Sequence, residues 1–145
     1  MPTLECLVTS RVATPSMVLI PAETVSIAVV RAAISQALRD HSWGDDAIAR
    51  VVLATTEAVA NAVEHGSQEG ELVEIVFQVG AEDAKVRVLD SGGASSWTPP
   101  ETQVEPSSTA SRGRGLFIIS ALAQNVEFRP AGNGTEIRLD FSRAT

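Results

Sequence analysis

The order of apolar and polar positions divides the chain into helical and extended segments. Residues 4–10 and 12–20 read as a short strand or hairpin, with Pro15 confining the second part to an edge or a late start. Between residues 22 and 41, Ile27, Val30, Ile34 and Leu38 recur every three or four positions, the spacing of one helical face. Ser42-Trp43-Gly44 interrupts that pattern. Asp45 or Asp46 suits the N-cap of a second helix running to about His65, and Gly66 stands where a left-handed C-cap is wanted. At about 100° per residue, Ile48, Val52, Val59 and Val63 fall on one side of this helix, and Glu57, Asn61 and Glu64 on the other.

Alternation replaces helical spacing from residue 72. Val73, Ile75, Phe77 and Val79 share one face, and Val86, Val88 and Asp90 share a face of the next segment, so residues 72–79 and 85–90 predict a hairpin around residues 80–83. Residues 91–111, SGGASSWTPPETQVEPSSTAS, form a long loop, and connections of that length are either disordered or functional, often lids. Residues 115–123 predict a short helix, and residues 126–129 and 135–141 a second hairpin. The order β(β)ααββ, loop, αββ has too few helices to cross over between parallel strands. It predicts a two-layer α/β sandwich with a mixed, mostly antiparallel sheet covered on one face by helices, and disfavours a Rossmann-type site.

Composition narrows the function classes. At 145 residues, 44% hydrophobic and 20% charged, the chain has the profile of one globular domain, burying roughly 68–70% of its unfolded surface. Charged residues interrupt the alanine- and valine-rich region from Pro21 to Gly66, so no membrane span is predicted, and no signal peptide is visible. One cysteine excludes an intrachain disulfide, and two histidines cannot assemble a Cys/His zinc cluster. A cytoplasmic location is the expectation. The net charge of −7, with the eleven basic residues scattered, argues against nucleic acid as a partner.

Three polar groups carry candidate chemistry. In Glu57-Ala-Val-Ala-Asn61-Ala-Val-Glu-His65-Gly66, Glu57 and Asn61 lie one turn apart on one face. An amide oxygen is a hard ligand for Mg²⁺, and a carboxylate one turn away can take a proton or order a water; the same pair also reads as a solvated helix face. Asp90-Ser91-Gly92-Gly93 ends a strand with Asp90 on the side of two core valines. A carboxylate there needs donors, of which an adenine amino group is one, and the segment also reads as a turn. Ser111-Arg112-Gly113-Arg114-Gly115-Leu116 opens a helix whose free N–H groups suit phosphate, although no Walker lysine is present and a flexible helix entry fits equally. Thr135, after Gly134, shares the inward alternation of Ile137, Leu139 and Phe141, and its hydroxyl needs a partner, a backbone carbonyl being the common one.

In this order and spacing the motifs resemble the ATP-binding domain of the GHKL superfamily (gyrase, heat-shock chaperone, histidine kinase and mismatch-repair ATPases). The likeness is nearest to its compact branch, the anti-sigma-factor serine/threonine kinases of bacterial stress and sporulation switches, and runs from about Met17 to Phe141. It implies the Bergerat-type ATP-binding fold with ATP and Mg²⁺ as cofactors. The family motif E-A-x-x-N-A-x-x-H-G matches Glu57, Asn61, His65 and Gly66, and implies Asn61 as Mg²⁺ ligand, Glu57 as base and His65 among the nucleotide-binding residues. D-x-G-x-G matches Asp90 and Gly92, with Asp90 receiving the adenine amino group; Ala94 stands where the second glycine is usual, with Gly93 before it, which shifts the expected hinge of the lid. G-x-G-L/F matches Gly113, Gly115 and Leu116, whose backbone would cradle the phosphates beneath a lid at residues 91–112, with Arg112 and Arg114 both candidates for the γ-phosphate. The late G-T places Thr135 near adenine and Asp90.

The resemblance further implies one kinase domain over residues 1–145. About 20 residues before Ala22 leave no room for the phosphoacceptor helix of a sensor kinase. Such a kinase would phosphorylate a STAS-type anti-anti-sigma protein, alternatively sequester a sigma factor, and form a homodimer. The alternatives are a non-catalytic ATP-binding module whose loop switches protein contacts, and a domain without nucleotide in which the motifs serve as turns and caps.

Overall fold

The computed structural model describes residues 15–66, 71–91, 111–132 and 134–144. Strand β1 is Ser16–Pro21, starting directly after Pro15; the expected segment at residues 4–10 lies outside the described residues. A 3-10 turn at Thr24–Ser26 leads into helix α1, Ile27–Asp40, whose buried stripe Val30, Ile34 and Leu38 is the one the spacing predicts. Helix α2 is Asp45–Asn61, continued by a π-helical turn at Ala62–Gly66. Strands β2, Leu72–Val79, and β3, Asp83–Leu89, form the expected hairpin, closed by the Gly80 N–H donating to Asp83 O at 2.8 Å. Helix α3, Ser111–Leu122, and strands β4, Asn125–Ala131, and β5, Gly134–Ser142, complete the chain.

The ends of the two long helices differ from expectation. Gly44, with extended φ and ψ, is the N-cap of α2, while Asp45 and Asp46 sit in its first turn, where their charge favours the positive helix end. At the other end, Gly66 does not cap an α-helix: the α-helical ladder stops at Asn61 and widens into the π turn. Helix α1 closes with Ser42 N–H on Arg39 O at 2.9 Å and Trp43 N–H on Leu38 O at 3.0 Å. This paired closure needs a left-handed residue, and Ser42 supplies it at φ 63° without being glycine.

The sheet has the order β1-β2-β3-β5-β4, and every described pairing is antiparallel. β5 enters between β3 and β4, although β4 precedes it in sequence. Apolar content explains the order: Ile137, Leu139 and Phe141 of β5 are buried, whereas Val126 and Phe128 of β4 are only partly so, and Pro130 suits an edge. One face of the sheet, carrying Val73, Ile75, Phe77, Val79, Ala84, Val86 and Val88 with the β5 residues, packs under the helices as a single core. The other face is half apolar, with Met17 and Leu19 exposed on β1. Its other half is charged, and there Arg87 and Arg138 pair with the buried Glu136 carboxylate at 3.2 and 3.1 Å. This is the two-layer sandwich expected, with helices on one side.

One end of the sandwich is stapled by hydrogen bonds to backbone carbonyls. Trp43 Nε1 donates to Gly80 O at 2.9 Å, Arg50 Nη1 to Ser142 O at 3.1 Å, and Arg143 to Ala81 O at 3.0 Å and Ser42 O at 2.5 Å. They join the α1–α2 connection, the β2–β3 turn and the close of β5. Replacing Ser42 by glycine removes the steric cost of its left-handed conformation. Ser42→Gly is therefore expected to raise the unfolding free energy by about 0.5–1 kcal/mol, read as a higher urea midpoint at unchanged slope.

Candidate functional site

Strand and helix directions bring the polar motifs to the end opposite the staples. Arg50, near the start of α2, is fixed to the close of β5, so Asn61, eleven residues on, lies about 16 Å away along the helix. Gln124 N–H bonds to Asp140 O at 2.7 Å, which puts the end of α3 at the stapled side and its first turn at the other. Asp90 follows the last residue of β3, and Gly134 and Thr135 open β5, at that same end.

Asp90 is tied directly to the start of β5. Its N–H donates to Thr135 O at 3.1 Å, and its Oδ1 accepts the Thr135 N–H at 3.1 Å. The carboxylate is thereby oriented by a backbone donor. Thr135, half-buried, precedes the inward-facing Ile137 and Leu139 in the same alternation.

On α2, Asn61 is only 8% exposed and its Nδ2 is buried without a hydrogen-bond partner among the described residues. This corrects the solvated-face reading: α2 also buries Val51, Ala54, Thr55, Thr56 and Ala58, because α1, α3 and the sheet surround it. Glu57, one turn back, is half-buried. Burial raises its pKa above the ordinary value, and the Glu64 carboxylate raises it further. Glu64 received no role from the sequence, although its place seven residues on, two turns along the same face, was the available signal. Among the described residues, two further buried hydroxyls without partners, Thr55 Oγ1 on α2 and Ser120 Oγ on α3, carried no motif at all.

The backbone of α3 starts at Ser111, earlier than expected, so Arg112, Gly113, Arg114, Gly115 and Leu116 occupy its first two turns. The first N–H groups of a helix have no intrahelical acceptor and suit an anion. For residues 111–116 and for His65 the description is of the backbone. Gly92, Ala94 and most of the expected lid at 91–112 lie outside the described residues.

The unpartnered atom of Asn61 is its amide nitrogen, a donor that suits a phosphate or water oxygen, while the amide oxygen of the same group is the hard ligand that Mg²⁺ would take, usually as one of only one or two protein ligands when it also holds phosphates. Among the described residues no group of three His, Cys, Asp or Glu side chains could hold a metal ion. No described helix is long and apolar enough to cross a membrane.

The family model of the histidine kinase-like ATPase domain matches residues 20–141, and the chain belongs to that family, whose ligand is ATP. No curated protein matches the sequence. Among solved structures it is similar to the RsbU and RsbW domains of Rv1364c from Mycobacterium tuberculosis, with a TM-score of 0.64 at 22% identity over 88% of this chain. That likeness is one of fold, and the chain spans 31% of the length of that structure.

The environment of Glu57 has a measurable consequence. With its folded pKa raised, the native state binds more protons than the unfolded state as pH climbs through the carboxylate range, so Glu57 costs stability above its raised pKa and nothing below the ordinary value. Glu57→Gln is expected to raise the thermal midpoint at about pH 8 and leave it unchanged at about pH 3, compared by calorimetric scans at the two values.

Proposed function

We propose that the protein is an anti-sigma-type serine/threonine kinase that binds Mg-ATP and phosphorylates a STAS-type anti-anti-sigma protein, and alternatively sequesters a sigma factor in the cytoplasm. The observation that carries this reading is the Asp90 carboxylate, set by Thr135 N–H at the end of the fold where α2 presents Asn61 and α3 begins. In this reading Asp90 accepts the adenine amino group, with Gly92 and Thr135 beside it. Asn61 holds Mg²⁺, and His65 adjoins the nucleotide. Gly113, Gly115 and Leu116 receive the phosphates on the first turns of α3, with Arg112 and Arg114 supplying positive charge and residues 91–112 serving as lid.

Bound at Asn61, Mg²⁺ would neutralise charge on the phosphate oxygens. Glu57 takes the proton of the acceptor hydroxyl, whose oxygen forms the new bond to the γ-phosphorus as the bond to the β–γ bridging oxygen breaks and ADP leaves. Burial and the Glu64 carboxylate raise the pKa of Glu57, the direction that makes a carboxylate a stronger base. Membership of an ATPase family and the likeness to a structure containing an RsbW domain support this reading.

A homodimer belongs to the same reading. What supports it is the outer sheet face, where among the described residues Met17 and Leu19 are 61% and 54% exposed on β1, and Leu72 is 53% exposed at the start of β2. Beside them Lys85, Arg87 and Arg138 alternate with Glu127 and Asp140, so two copies related by a twofold can set acids against bases.

Two tests follow. Calorimetric titration should give Mg²⁺-dependent ATP binding that Asp90→Asn abolishes, while Glu57→Ala should bind ATP and lose phosphate transfer to a STAS-type acceptor; transfer that survives in Glu57→Ala removes the base assignment, and regulation of a partner without any transfer favours the non-catalytic module. Light scattering should report a dimer that becomes a monomer in the Met17→Glu/Leu19→Glu variant, and an unchanged mass would place the dimer contact elsewhere.

A further inference from the structure

The β4–β5 turn contains two described glycines with different physical reasons. Gly132 has φ 60° and nothing within 4 Å of where a Cβ would stand, so it serves conformation alone. Gly134 is the reverse. It is not in the left-handed region, but a Cβ there would lie 2.1 Å from the carbonyl oxygen of Asp90, 2.6 Å from Asp90 Oδ1 and 2.8 Å from the Asp90 carbonyl carbon. Two of those atoms are backbone, so no rotamer change can relieve the contact. The space a side chain would need is taken by the residue proposed to read adenine.

The surrounding bonds make this approach a fixed feature. Leu89 pairs with Glu136 at the end of the β3–β5 ladder, and Asp90 N–H to Thr135 O extends it by one residue. The Thr135 N–H bends the Asp90 carboxylate back over the start of β5. On the other side Gly134 is paired with Ala131 of β4, which holds the strand in the sheet. Any group larger than hydrogen on Gly134 must push Asp90 off β5 or drive the start of β5 against β4.

We propose that Gly134 is a positioning residue for nucleotide recognition: its missing side chain seats Asp90, so that the β4–β5 turn sets the place of the adenine-reading carboxylate. The proposal rests on the reading of Asp90 as the adenine contact. It concerns the base and leaves the triphosphate-binding elements on α2 and α3 untouched.

The test titrates ATP and inorganic tripolyphosphate, each with Mg²⁺, into the wild-type chain, Gly134→Ala, Asp90→Ala, the double variant and Gly132→Ala. Gly134→Ala should weaken ATP binding by about tenfold or more, as Asp90→Ala does, and the double variant should bind no more weakly than Asp90→Ala alone. Tripolyphosphate affinity should be the same in all, and Gly132→Ala should bind ATP as the wild type does. Wild-type ATP affinity in Gly134→Ala, an additive loss in the double variant, or a parallel loss of tripolyphosphate overturns the proposal. Should Gly134→Ala fail to fold, the wild-type chain decides: the Thr135 amide resonance should move on ATP saturation and in Asp90→Asn, and an amide unmoved by ATP overturns it. Failure of the wild-type chain to bind ATP removes the functional reading and this proposal together, whereas normal wild-type binding with an unaffected Gly134→Ala removes this proposal alone.

Discussion

The burial of α2 on nearly every side is the constraint from which the rest of the molecule follows. Val51, Ala54, Thr55, Ala58 and Val59 are fully buried between α1, α3 and the inner sheet face. Small side chains at Ala54 and Ala58 let the neighbouring elements close on the helix, and close-packed interiors do not deform continuously. A helix held this way delivers whatever stands at its last turn to a fixed place. That residue is Asn61, an amide buried with a polar atom unused.

The two ends of the sandwich are built differently. At the stapled end, Trp43, Arg50 and Arg143 donate to carbonyl oxygens of turns and strand termini, which satisfies groups that short connections otherwise leave without partners. At the opposite end stand the groups of the proposed site: the first turn of α3, the Asn61 amide and the Glu57 carboxylate. Two nearby carboxylates, Glu57 and Glu64, and partial burial make Glu57 unfavourable as a charge there. Such an arrangement lowers stability locally, and functional sites are where such costs concentrate.

The π turn after Asn61 belongs to the same end. Widening the helix by one residue per turn redirects the chain without proline or a cap, and such turns are frequent at functional positions. It separates Asn61, packed in the core, from Glu64, which is exposed. A regular helix to His65 would have continued the same stripe without that change.

Much of this architecture was legible in the sequence. Alternation located β2, β3 and β5, because a strand with one buried face must repeat every two residues; three- and four-residue spacing located α1. The motifs carried the family, now shown by the match over residues 20–141. Other features depended on the partners a residue meets in space. Asn61 and Thr55 are buried because α3 returns across α2, which helical periodicity cannot register. Ser42 closes α1 in a left-handed conformation because Trp43 and Arg143 hold that corner. The insertion of β5 beside β3, and with it the Thr135 N–H on Asp90, was decided by the stronger burial of β5's apolar face. Local sequence determined which segments are helices and strands and which residues could do chemistry. Tertiary packing alone decided which of those residues stand together, because hydrogen bonds and close contacts between distant segments exist only once the core has closed.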